Sequence, residues 1–308
     1  LTKILTIPIL TSRPVATTLT QTARLKSKAE FENWQLSKVA SYDLVWRLLP
    51  TGFWAAVFHA GMARCVVAMQ YQFDLPLAPS ETKEQLQSII AQHEWLQTSS
   101  YNSVKVSWGW GGSVVVPADF FDIAELPQIC SRSIGQPVRG QVADFYRHAG
   151  GPVSVFYTDS NAADYLALQY RASRIKHLHS NAVFAQQVQD MGAIGGTTRA
   201  VLLLDKGYIT FVLIKGKNWQ LVNRYAVKTP QDITYFVLLA LQETGIDVGT
   251  TPLSIYGDTQ SNPEWYQPLL GYLPTAGVGN LPSAWAAHGA SEVDLAPWFG
   301  IFAMTACV

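Results

Sequence analysis

The 308-residue sequence is short of most features that announce a specialised class. It has three cysteines, Cys65, Cys130 and Cys307, widely scattered and odd in number. That is neither a disulfide framework nor the paired spacing of a zinc site, so three reduced thiols are expected, as in a cytosolic protein. Charged residues make up only 14% of the chain, and 22 basic residues balance 22 acidic ones. Nucleic-acid binders draw most of their affinity from a basic excess, so no nucleic-acid partner is expected. No apolar run approaches the roughly 20 residues that span a bilayer. The apolar start, LTKILTIPILTSRPV, is broken by Pro8 and Pro14 and shows no small-residue cleavage site. The expected location is cytoplasmic, with membrane contact only indirect. The nucleophile elbow Gly-x-Ser-x-Gly, the P-loop Gly-x-x-x-x-Gly-Lys-Ser/Thr and the metalloprotease His-Glu-x-x-His are missing as well, which removes the best-signalled hydrolase classes.

The chain is rich instead in core-forming residues. Its hydrophobic content of 48% describes a well-buried globular protein with one large domain or two. An internal repeat organises it. Sliding residues 44–73 along by 155 sets Leu48 and Leu49 on Leu203 and Leu204, Gly52 on Gly207, Val57 on Val212, Gly61 on Gly216 and Val67 on Val222. Each copy reads as three apolar runs rich in Val, Ile and aromatics with glycine in the turns, the pattern of an antiparallel meander.

The segment after each meander repeats too. ETKEQLQSIIAQHEWL, with Ser80 as its expected cap, and ITYFVLLALQETG, opened by Thr229 and Pro230 and stopped by Gly245, both read as helices. Short strands come next, at 102–108 and 252–257, with Val104 and Val106 matching Leu253 and Ile255 at an offset of 149. The unit β-β-β-α-β is therefore expected twice. Between the copies, GGPVSVFYT, a helix behind Asn161, SRIKHLH and a helix capped by Asn181 imply a parallel component, so the fold class is α/β. The expected plan begins with an arm over residues 1–40 that holds a short helix around KAEFENWQLSKVA. It continues with a first lobe over 41–160, a second over 161–280 and a tail over 281–308, whose apolar LAPWFGIFAMTACV docks on the body.

A doubled β-β-β-α-β unit resembles the actin-like ATPase (RNase H-like) fold with two lobes, shared by sugar kinases, heat-shock 70 chaperones and pilus-assembly actin homologues. The wording of LVWRLLPTGFWAAVF, YNSVKVSWGWGGSVVVPADFF and the run from Val201 to Asp258 resembles a bacterial family of domains of unknown function, family 3822, over about residues 40–280. The resemblance implies a degenerate actin-like fold and brings no established activity with it.

In catalytic members of that superfamily the two hairpin turns cradle phosphates. Carried onto this chain, the candidate cofactor-binding residues are Thr51 and Gly52 of the first turn; Asp205, Lys206, Gly207 and Thr210 of the second; and Gly257 and Asp258 of a further glycine turn. Pro50 stands where an acid is needed near Mg²⁺, and Tyr208 where a small residue lets amides approach phosphate. The expectation is a hairpin with its cradle dismantled, a non-catalytic binding or scaffolding module, with no cofactor expected. The alternatives are a nucleotide-binding switch or weak ATPase using ATP and Mg²⁺, and a cytoplasmic partner of a membrane or pilus-type assembly.

Three other stretches carry suggestive residues. GAIGGTTRA at 192–200 precedes its strand and reads as a linker. His177 and His179 share a strand face, with Asp190 or His148 as conceivable further ligands, but a polar strand face is the commoner meaning and no metal is expected. The glycine loop SWGWGGS exposes Trp108 and Trp110 as candidate contacts for an unidentified protein partner.

Overall fold

The computed structural model describes residues 23–149, 151–191, 198–216, 218–260, 262–282, 285 and 295–307. The chain divides into two compact units, Leu1–Ala60 with Val66–His179, and Gly61–Cys65 with Ser180–Val308. Each is built on its own sheet.

In the first unit β1 (Arg24–Glu30), β2 (Tyr42–Leu49), β3 (Gly52–His59) and β4 (Cys65–Gln72) are followed by helices α1 (Thr82–Ala91) and α2 (Glu94–Gln97) and by β5 (Ser103–Trp108). After β6 (Ser113–Val116), α3 (Leu126–Ser133), β7 (Gln141–Arg147), β8 (Val153–Asp159) and α4 (Ser160–Gln169), the chain returns as β9 (Arg174–His179). The main sheet runs β1-β4-β3-β2-β5-β9, and β6-β8-β7 form a separate three-stranded sheet. Strand β2 is antiparallel to β3 and parallel to β5, and β5 is parallel to β9. Parallel neighbours need crossovers, and the helical segments supply them.

Strands β2, β3 and β4 are buried on both faces nearly throughout, which is why they read as continuous apolar runs.

Three local expectations differ from the structure. The arm forms no helix at KAEFENWQLSKVA. Residues Arg24–Glu30 instead pair antiparallel with β4, and only Leu36–Ser41 makes a 3-10 turn. A ladder along an open edge outweighs the weak propensity of a short helix. Residues 1–22 of the arm lie outside the described residues. Ser80 does not cap α1. It sits in the 3-10 turn Pro79–Glu81, where the Ala78 N–H donates to Glu81 Oε2 at 2.8 Å. Helix α4 is capped by Asp159, whose Oδ1 accepts from the Ala162 N–H at 2.8 Å, two residues before Asn161.

The second unit opens on α5 (Ser180–Asp190), continues through β10 (Thr198–Asp205), β11 (Tyr208–Lys215), β12 (Asn218–Ala226), α6 (Pro230–Glu243) and β13 (Leu253–Gly257), and adds α7 (Gln267–Leu270) and β14 (Ala276–Val278). Helix α5 starts at Ser180, ahead of the expected cap Asn181, and is buried along nearly its whole length. The sheet order is β12-β11-β10-β13-β14, with β10 antiparallel to β11 and parallel to β13.

Helix α6 begins and ends as its sequence dictates. Thr229 and Asp232 form a capping box around Pro230. At the other end Gly245 takes φ 66°, and the N–H groups of Gly245 and Ile246 return to the carbonyls of Gln242 and Leu241. The C-terminal segment docks within this unit, where Phe299 stacks on Tyr256 at 4.2 Å and meets Phe184 of α5 edge-on at 5.6 Å.

Both units therefore order their strands third-second-first-fourth, with a helix between third and fourth, and a fifth strand beyond. The correspondence is one residue off the sequence alignment. Leu44 pairs with Val57 as Ala200 pairs with Leu213, an offset of 156 for both strands. At that offset Leu44, Trp46, Leu48, Phe53, Ala55 and Val57 match Ala200, Leu202, Leu204, Ile209, Phe211 and Leu213, and every one faces its unit's core. The offset of 149 holds for Val104 and Val106 against Leu253 and Ile255.

Candidate functional site

Open α/β sheets present ligand sites beyond the carboxyl ends of their parallel strands. In the first unit that end of β2 carries the turn Pro50-Thr51, closed by the pair Leu49↔Gly52. Gly52 is thus a strand residue rather than the turn glycine. Its role is clearance, since a Cβ there would lie 2.5 Å from the Tyr71 carbonyl oxygen. Asp205↔Tyr208 is the equivalent pair in the second unit, so the residue in the acid's place is the buried Leu49 and not Pro50.

The carbonyls of the first turn are already taken: the Phe73 N–H donates to Thr51 O at 3.1 Å and the Leu77 N–H to Pro50 O at 2.7 Å. The rings of Phe73 and Trp110 meet Phe53 edge-on at 4.8 and 5.9 Å, and the Trp110 indole N–H bonds Leu77 O at 2.9 Å. This turn is packed like a core.

The second turn keeps more of its pattern. Gly207 adopts φ 74°, which the two-residue loop Lys206-Gly207 requires. Leu204 pairs in parallel with Gly257, so Asp205, Gly207 and the Gly257-Asp258 turn come to one end of one sheet. Gly257 has φ 101°, and a Cβ on it would lie 2.2 Å from Leu204 O. Thr210 is buried, opposite Arg224 in the ladder, and the Arg224 guanidinium lies 4.1 Å from the centre of the Tyr208 ring. Tyr208 thus occupies the mouth of the turn as a stacked aromatic.

Trp108 and Trp110 are not exposed. They keep 1% and 6% of their surface because both indoles turn into the first unit's core. The glycines of the loop shape the chain around them. His177 and His179 do share a face of β9, but His177 Nδ1 accepts from the Trp108 indole at 3.0 Å and His179 packs against Phe156 at 5.7 Å. His148 bonds Ser154 at 2.7 Å and Asp190 accepts from Gln186 at 2.9 Å. Among the described residues no three His, Cys, Asp or Glu side chains gather into a metal site. All three cysteines are buried free thiols, and burial with nearby Asp144 pushes Cys130 up to about 12. Most of the GAIGGTTRA stretch lies outside the described residues.

A second site escaped the sequence reading. Helix α3 lies on one face of the three-stranded sheet, over Val153, Val155 and Tyr157. Beside α3 and β7, an open groove of about 610 Å³ is lined by Ile123, Leu126, Pro127, Val142 and Tyr157 together with the polar Gln128, Ser131, Gln136 and Gln141, and no charged side chain lines it. Ile123 and Val142 keep 62% and 48% of their surface, and Phe120 and Val138 nearby are exposed as well. The Tyr157 hydroxyl donates to Gly135 O at 3.0 Å and holds the loop after α3 in place. The signals in the sequence are Asp122 and Pro127 at a helix start and the mixed alternation of QVADFYR. Neither is strong.

Comparison with known proteins agrees with this architecture. The model of the family "Protein of unknown function (DUF3822)" matches residues 32–275. A protein from Bacteroides thetaiotaomicron with an actin-like ATPase fold and unknown function superposes with a TM-score of 0.70, at 13% identity over 90% of this chain and 100% of that one. A structure of the PilM–PilN type IV pilus biogenesis complex superposes with a TM-score of 0.56, at 12% identity over 86% of this chain and 97% of that one. No curated protein matches the sequence. The fold is that of the actin-like ATPases, and at these identities the likeness extends to the fold alone.

Proposed function

We propose that this chain, which belongs to the DUF3822 family of proteins of unknown function, is a non-catalytic, cytoplasmic binding or scaffolding module that holds a protein partner. The observation that carries the reading is the first hairpin, where Leu49 stands at the position that Asp205 holds in the second unit and the rings of Phe53, Phe73 and Trp110 pack together beside the turn. Phosphoryl transfer depends on positioned metal, charge neutralisation and an oriented nucleophile together, and one intact turn does not provide them. The shared strand order is read as the trace of an internal duplication whose chemistry has been lost and whose architecture has been kept.

The partner surface assigned to this module is the uncharged groove beside α3, whose mixed lining of apolar side chains with Gln128, Ser131, Gln136 and Gln141 suits an uncharged segment of another protein. The fold is shared with a component of the PilM–PilN complex, and that likeness supports a protein as the ligand class. Among the described residues no helix is long and apolar enough to cross a membrane.

The test is affinity capture with the wild type and with Ile123→Asp and Val142→Asp as baits. Both positions are exposed, so the variants are expected to fold with unchanged melting temperature. A partner held by the wild type and released by both variants is the expected result. Identical partners on all three baits would move the binding surface elsewhere.

A nucleotide-binding switch or weak ATPase is the second reading. The convergence of Asp205, Gly207, Gly257 and Asp258 on one sheet end favours it.

A further inference from the structure

We propose that the groove beside α3 takes a segment of another protein that is uncharged over its middle, basic at the end beside Ile123 and acidic at the end beside Pro137. The proposal rests on the groove being the partner surface, and it adds the chemistry of the partner.

Exposed apolar side chains gather here. Phe120, Ile123, Val138 and Val142 are all exposed around this one groove, and a cluster of that kind marks an interaction site where single exposed residues would not. Between them Gln128, Ser131, Gln136 and Gln141 supply amide and hydroxyl groups that can bond the backbone of an extended segment without calling for a charge.

The charges around the rim are sorted by end. Asp119, Asp122 and Glu125 are exposed where Ile123 and Ala124 line the groove. Arg132 and Arg139 are exposed at the other end, beside Ser131 and Pro137. Arg147 also approaches the acidic end, but its guanidinium lies over the rings of Phe121 and Phe145 at 4.9 and 5.9 Å, and three carboxylates outnumber it.

Helix α3 alone does not account for this order. A helix dipole favours acids in the first turn and bases in the last, and its effect fades within that turn. Asp119 comes well before Leu126 and Arg139 well after Ser133, so both lie beyond the helix. Asp122 does have a local duty, its Oδ1 accepting from the Ala124 N–H at 2.9 Å, whereas Glu125 makes no such cap.

The length of the occupant comes from the helix that flanks it. The eight residues of α3 span roughly 12 Å, the length of about four extended residues. Exposed charges add little affinity singly, so the apolar and amide lining holds the segment and the rim fixes its direction.

Selection of random peptides about twelve residues long on the full chain tests the proposal. Enriched peptides are expected to carry Lys or Arg at one end and Asp or Glu at the other, with about four to six uncharged residues between. The variant Asp119→Lys, Glu125→Lys is expected to bind such a peptide roughly tenfold more weakly than wild type, with an unchanged melting temperature. The same variant is expected to prefer a twin peptide in which Glu replaces the basic residues, a reversal that mere loss of structure would not give. Enrichment without that charge order, or equal affinity for the two proteins, overturns the proposal, and leaves the groove as partner surface if Ile123→Asp and Val142→Asp still abolish binding. Peptides that bind those two variants as well as wild type, or a selection that enriches nothing, would remove the groove and the proposal together.

Discussion

The Trp108 indole N–H donates to Nδ1 of His177 at 3.0 Å, across the parallel strands β5 and β9. The bond requires an unprotonated Nδ1, so the structure holds His177 neutral. Burial lowers its pKa from 6.5, and nearby Asp144 partly restores it. Burial raises Asp144 from 3.8, while the Phe145 N–H and His177 pull it back.

A pH dependence results from those directions. Below pH 6.5 the unfolded chain takes up a proton that the folded imidazole resists, so the His177 contribution to stability falls as pH drops from 6.5 towards its lower folded value. Asp144 acts in the opposite sense: ionisation is penalised in the fold, and stability is lost as pH rises from 3.8 through its raised value. Urea midpoints between about pH 7.5 and 5.5 follow this limb, which His177 shares with His93, whose pKa burial and Lys28 also lower. His177→Gln is expected to make the slope shallower without abolishing it, and an unchanged slope in that variant would assign the limb to other groups.

Two glycines at one end of the second unit are expected to respond unequally to alanine. Gly207 has φ 74° and open space around its Cα, so Gly207→Ala costs only the left-handed backbone penalty, about 1–2 kcal/mol. Gly257 has φ 101° and no room, with Leu204 O at 2.2 Å from a Cβ. Gly257→Ala must shift backbone and is expected to cost roughly 3 kcal/mol or more. Chemical denaturation of the two variants, compared with wild type, measures the difference.

Trp110 separates a core role from a surface role. With its ring filling the first hairpin, Trp110→Ala is expected to remove about 3–5 kcal/mol through the cavity left behind. Trp110→Phe retains most of the volume and leaves Leu77 O without its indole donor, a loss of about 1–3 kcal/mol. A change below about 0.5 kcal/mol in the alanine variant is what an exposed contact residue would give.

The repeat was legible because glycine and β-branched runs punctuate both copies alike. Its register was not. Strands β2 and β3 bury both faces, so no alternation distinguishes an offset of 155 from 156, and matching Gly52 to Gly207 chose the wrong one. Only the ladder reveals that Gly52 serves close approach and Gly207 a turn. Trp108 and Trp110 misled for a related reason: a glycine-rich loop suggested exposure, but the indoles found acceptors at His177 and Leu77 inside the unit. The three-stranded sheet passed unread because β7 mixes Asp144 with Phe145 and Tyr146, so neither of its faces is uniformly apolar. Helix α3 buries only Leu126 and Cys130, too few to set a helical period.

The central claim is that the hairpins no longer serve a nucleotide, and a thermal-shift titration with ATP and Mg²⁺ to millimolar concentration tests it most directly. Wild type and Asp205→Ala would be compared. A ligand present at about 100 times its Kd adds roughly 2.7 kcal/mol of stability, a readily visible rise in melting temperature. The account predicts no shift in either protein. A shift in the wild type that Asp205→Ala abolishes would contradict it and make the second unit's turn a working nucleotide site.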